Sequence, residues 1–95
     1  MRIKEILKIN EQLDYFNVKL PDNPPQEELT ESPDLKDIFM AYRAFNIPYD
    51  VLSIPEMQGV IRLMKKRYYQ NDVCMKILDT LSRHLTEMEN WLKAE

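Results

Sequence analysis

Apolar residues recur three and four positions apart along most of this chain, the spacing that lines up one face of a helix. Ile3, Ile6, Leu7, Ile9, Leu13 and Phe16 set the first stretch, with Lys4, Glu5, Lys8, Glu11, Gln12 and Asp14 between them. It predicts a helix over Ile3–Val18. Leu35, Ile38, Phe39, Ala41, Tyr42 and Phe45 set the second, over Pro33–Asn46. Ser32 is its expected N-cap and Pro33 its first residue, with Asp34 and Asp37 near the positive end of the helix dipole. Pro48 closes it.

The third stretch opens on Ser53-Ile54-Pro55-Glu56. The Ser53 hydroxyl can accept from the Glu56 N–H while Glu56 reaches back to the Ser53 N–H, a capping box with proline in the first turn. Met57, Val60, Ile61, Met64 and Tyr68 follow at helical spacing. The pattern resumes as Val73, Cys74, Ile77, Leu78, Leu81, Leu85, Met88 and Leu92.

Two arrangements fit this long stretch. In one, a single helix of roughly 58 Å runs from Pro55 to Lys93. Met57, Met64, Asn71, Leu78, Leu85 and Leu92 then form a heptad seam, with Asn71 as a register-fixing polar residue in a dimeric coiled coil. In the other, the chain turns at Gln70-Asn71-Asp72 into a helical hairpin, Pro55–Tyr69 and Asp72–Lys93. Lys65, Lys66 and Arg67 then close one helix, and Asn71 takes a left-handed turn position or caps the next. Ile61, Leu63, Tyr68, Met75, Ile77 and Trp91 broaden the apolar stripe beyond a two-stranded seam, which favours the hairpin. The expected fold is all-α: one domain over residues 1–95, a small bundle of about four helices with a C-terminal hairpin.

The segments between helices differ. Residues 21–32 carry Pro21, Pro24 and Pro25 with Glu27, Glu28 and Glu31, an acidic proline-rich linker that reads as a surface strap. Pro21 and Pro24 formally match a PxxP ligand, but acids stand where a basic anchor belongs. Ile47-Pro48-Tyr49-Asp50-Val51-Leu52 is too apolar for a free loop and is expected to pack across the bundle ends.

Composition narrows the function. With 44% apolar and 31% charged residues the chain has the makeup of a folded globular domain. One cysteine permits no internal disulfide and suggests a reducing, cytoplasmic setting. No apolar run approaches the roughly 20 residues of a membrane span, and Met1-Arg2-Ile3-Lys4-Glu5 does not begin a secretory signal. A single glycine leaves no phosphate-cradling loop. His84 and Cys74, the only residues of their types, stand ten apart and do not share a face at one level. No catalytic residues, metal ligands or cofactor site are expected, and the chain is not expected to be an enzyme.

Two surfaces remain as candidates. The first is an apolar surplus on the last helix, Met75, Leu85, Met88, Trp91 and Leu92, of the residue types that form interface cores. It points to a protein partner, another protein or a second copy of the chain. The second is the basic run Arg62, Lys65, Lys66 and Arg67 with Tyr69, able to hold phosphates and stack on bases. It lies in a strongly polarised chain. Residues 21–56 carry eight acids against two bases, and residues 57–76 five bases against one acid. Over Asp34–Tyr69 the order helix, connector, basic helix is similar to a helix-turn-helix, but the connector exceeds that motif's turn of about 3–4 residues. The leading expectation is therefore an adaptor, regulator or inhibitor that binds a protein, with nucleic-acid binding as the alternative.

Overall fold

The computed structural model describes residues 3–94, with side chains from residue 8 onward. Four helices follow one another: α1 (Ile3–Tyr15), α2 (Leu35–Ala44), α3 (Ile54–Arg67) and α4 (Asp72–Lys93). There is no strand among the described residues. The fold is the expected all-α bundle with a C-terminal hairpin. Met1 and Arg2, and the side chains of Ile3, Ile6 and Leu7 expected on the face of α1, lie outside what is described.

The hairpin is the centre. α3 packs along α4, α1 lies against α3, and α2 lies against α4, giving a body of 43 × 26 × 18 Å. The long single helix does not form, because Asn71 caps. It is extended (φ −106°, ψ 98°) and its side chain accepts from the Cys74 N–H at 3.1 Å. The residue that a coiled coil would place in its seam instead starts α4. Ser53 and Glu56 make both bonds of the capping box, as their spacing predicts. The backbone and hydroxyl bonds from Ser53 hold the Glu56 carboxyl below its usual range.

Two boundaries differ from the periodicity, for one shared reason. α1 stops at Tyr15, short of Val18, and α2 at Ala44, short of Asn46. Asn17 and Asn46 both adopt φ 59°, the left-handed region that asparagine tolerates better than most side chains. Val18 N–H donates to Leu13 O and Ile47 N–H to Tyr42 O, at 3.0 and 2.9 Å. Each is the long bond of a Schellman stop, and in each the paired residues are buried together. The start of α2 also differs. Asp34, not Ser32, is the N-cap, its carboxylate accepting from the Asp37 N–H at 2.9 Å.

The core draws on every helix: Ile9 and Leu13; Ile38, Ala41 and Tyr42; Met57, Val60, Ile61 and Met64; Cys74, Ile77, Leu78, Leu81 and Leu85. Phe45 and Ile47 close the end of α2. The connector packs only in part. Ile47 is buried and Tyr49 and Leu52 half-buried, whereas Val51 points to solvent. Leu35 and Phe39 also lie on the exposed side of α2. The acidic strap is laid down rather than free. Cys74 Sγ donates to Pro25 O at 3.5 Å, Lys76 pairs with Glu28 at 3.1 Å, and Leu29 packs on the core.

Candidate functional site

The register of the hairpin decides what α4 leaves uncovered. Gln58 Nε2 donates to Ser82 O and Thr86 Oγ1, and Ser82 Oγ donates back to Gln58 Oε1 at 2.8 Å. Lys65 and Asp79 form an ion pair further along. Gln58 therefore stands opposite residues 82–86, and Ile54, four residues earlier, opposite about residue 88. α3 has 14 residues and α4 has 22, roughly 21 and 33 Å of helix. From Met88 onward α4 runs past the start of α3.

The apolar stripe does not stop there. Leu78, Leu81 and Leu85 are buried against the bundle, and Met88 and Leu92 continue their line at spacings of three and four. Trp91 stands seven after His84, on the flank where His84 faces Tyr42 of α2. Beyond the start of α3, Met88 is 40%, Leu92 52% and Trp91 65% exposed. These three form one patch, flanked by Glu87 and by the Glu89–Lys93 pair at 3.2 Å.

The other two residues expected on this surface do not belong to it. Leu85 is 1% exposed, a core residue enclosed by the bundle itself. Met75 is half-buried near the hairpin turn, sixteen residues and roughly 24 Å along the helix from Trp91.

The basic run is also divided. Lys65 turns toward α4 and pairs with Asp79, so it does not join a common cationic face. Arg62 and Lys66 point toward α1 and line an open groove of about 420 Å³ with Gln12, Tyr15, Phe16 and Leu63. Arg67 is exposed in the last turn of α3, and Tyr69 is exposed beyond it with Gln70 Nε2 donating to its hydroxyl. Tyr15, 83% exposed, was not legible as part of this surface because it belongs to another helix. Its ring meets Phe16 edge-on, with centroids 5.2 Å apart.

The chemically reactive groups are apart. Cys74 is fully buried under the strap, and burial pushes its thiol up from the ordinary value. His84 Nδ1 lies 3.5 Å from the Tyr42 hydroxyl, whose burial raises it to about 12 and so keeps it protonated. His84 also lines an open cleft with Ser32, Leu35, Thr80, Arg83 and Glu87 between the start of α2 and α4. No group of three or more His, Cys, Asp or Glu placed to hold a metal occurs among the described residues. No described helix is long and apolar enough to cross a membrane.

Comparison with known proteins finds no matching family model, no matching curated protein and no matching solved structure.

Proposed function

We propose that this chain is a small non-enzymatic interaction module that docks a protein partner on the overhanging end of α4. Met88, Trp91 and Leu92 are the anchors, and Glu87 and Lys93 beside them set the orientation of approach. The observation that carries this reading is the continuation of the core stripe past the start of α3, where Met88, Trp91 and Leu92 stay exposed. The three side chains expose roughly 350 Å² together, taking about 250 Å² for a whole tryptophan and about 200 Å² for each aliphatic. That is the central part of an interface rather than all of one, since a stable complex buries about 800 Å² per partner. Tryptophan at such a centre is the residue type most often found to dominate binding. The single cysteine, buried and reduced, suits a cytoplasmic adaptor, regulator or inhibitor.

The test is a Trp91→Ala, Leu92→Ala double variant, compared with the parent chain by light scattering and by affinity capture from native lysate. The expected result is an unchanged circular dichroism spectrum with loss of self-association or of the captured protein. Unchanged mass together with unchanged capture would remove this role.

A further inference from the structure

We infer that the groove between α1 and α3 is a second binding site, and that its ligand is single-stranded nucleic acid. This goes beyond the α4 reading and rests on other residues. Arg62 and Lys66 stand one turn apart on α3, and neither has an ion-pair partner among the described residues. Lys65, between them in sequence, is neutralised by Asp79 on the other side of the helix. The groove therefore keeps two free cations in a row, a spacing that suits successive phosphates of an extended strand.

The aromatic component comes from α1. Tyr15, 83% exposed, lines the groove with both cations, and its ring packs perpendicular to that of Phe16. A ring held beside free cations is the arrangement that binds unpaired bases by stacking while the backbone is held by charge. Gly59, the chain's only glycine, also lines the groove. A Cβ built on Gly59 meets nothing within 4 Å, so the backbone of α3 lies bare there and leaves room for a flat ring. A duplex fits poorly, because its bases are already stacked and the groove is concave, with no helix projecting to enter a major groove. The chain's net charge of −3 opposes any polyanion, so affinity depends on these few contacts and falls quickly with salt.

The experiment is fluorescence anisotropy of a labelled oligothymidine and a labelled oligouridine strand, titrated with the full chain over a salt series. Two phosphate contacts predict a slope of about −1.4 in log affinity against log salt. Arg62→Gln or Lys66→Gln reduces the steepness by about 0.7. Tyr15→Ala weakens binding about tenfold with the slope unchanged, and Tyr15→Phe, which keeps the ring, does not. Gly59→Glu abolishes binding by putting an acid in the groove while circular dichroism confirms the helices. Absence of binding at low salt, or binding indifferent to Tyr15→Ala and Gly59→Glu, overturns the inference. So does equal, Tyr15-dependent displacement of the strand by polyglutamate, which would assign the groove to acidic protein segments. None of these variants touches Trp91 or Leu92, so the outcome is independent of the α4 test.

Discussion

Gln58 and Ser82 bind each other through two hydrogen bonds, side chain to backbone and side chain to side chain. This reciprocal pair crosses from α3 to α4 and sets how far the two helices are offset. Because of that offset the last turns of α4 extend beyond α3. A slide of one turn would bring Leu92 level with the start of α3, and a polar glutamine amide would lose both its partners. The uncovered patch therefore follows from a specific polar contact, and not from helix length alone.

The core and the overhang should respond oppositely to truncation, although they lie on one stripe. Leu85→Ala removes a fully enclosed side chain and is expected to cost about 2–5 kcal/mol. Leu92→Ala removes a solvated one and should change stability by under about 0.5 kcal/mol. Urea unfolding of the two variants gives the comparison directly. Equal losses would mean that Leu92 is covered in solution.

Asn46 has two tasks, and substitution separates them. It takes the left-handed position that ends α2, and its Nδ2 donates to Lys19 O at 3.0 Å, tying the end of α2 to the chain leaving α1. Asn46→Gly keeps the conformation and loses the bond, about 0.5–1.5 kcal/mol. Asn46→Ala loses the bond and also strains the backbone, about 1–2 kcal/mol more. Midpoints of urea unfolding should fall in the order parent, glycine, alanine.

Gly59 lies inside a helix, where glycine is unfavourable, yet a Cβ there meets no atom. Gly59→Ala should raise stability by about 0.5–1 kcal/mol, read as an increase in melting temperature. A decrease would show that α1 closes over this position.

Alkaline conditions should weaken the fold before they would weaken its isolated helices. Burial raises Tyr42 from 10.0 to about 12 and also raises Tyr68 and Cys74. In the unfolded chain these groups ionise first, so the stability they contribute is complete below their ordinary values. It declines as pH rises, for Tyr42 between about 10 and about 12. Glu56 acts in the opposite sense: its carboxyl is lowered, so its share is lost as pH falls below the ordinary carboxylate value. Denaturant midpoints across pH should trace both limbs, and Tyr42→Phe should flatten the alkaline one.

What the sequence made legible was local. Ser53 and Glu56 needed only each other to form their box, and α4 runs over Asp72–Lys93 as its capping chemistry predicts. The hairpin followed from the same local preference at Asn71. The stops at Asn17 and Asn46 were harder to see, because a Schellman turn is secured when the residue after it finds a buried contact. The repeated Phe16-Asn17-Val18 and Phe45-Asn46-Ile47 carried the signal: asparagine followed by a β-branched apolar residue. Leu35 and Phe39 share the period of α2 with Ile38 and Tyr42, and only the position of α4 decides which pair is enclosed.

The candidate surfaces were legible in part for the same reason. Met88, Trp91 and Leu92 emerged as a surplus because the stripe outran any short partner helix. Leu85 was indistinguishable from them, since the offset set by Gln58 and Ser82 is a tertiary fact. The basic run read as one cluster because four charges in six residues look alike in sequence. Only the fold separates Lys65, facing α4, from Arg62 and Lys66, facing α1.

Trp91 is the only tryptophan, so the solvent exposure on which the docking reading depends can be measured without a label. The measurement is acrylamide quenching of its emission in the dilute chain, repeated as concentration is raised and as a captured partner is added. Ready quenching and red-shifted emission are expected when the chain is alone, then protection and a blue shift when the partner binds. Protected, blue-shifted emission at the lowest concentration, where light scattering gives the mass of one chain, would contradict the docking reading.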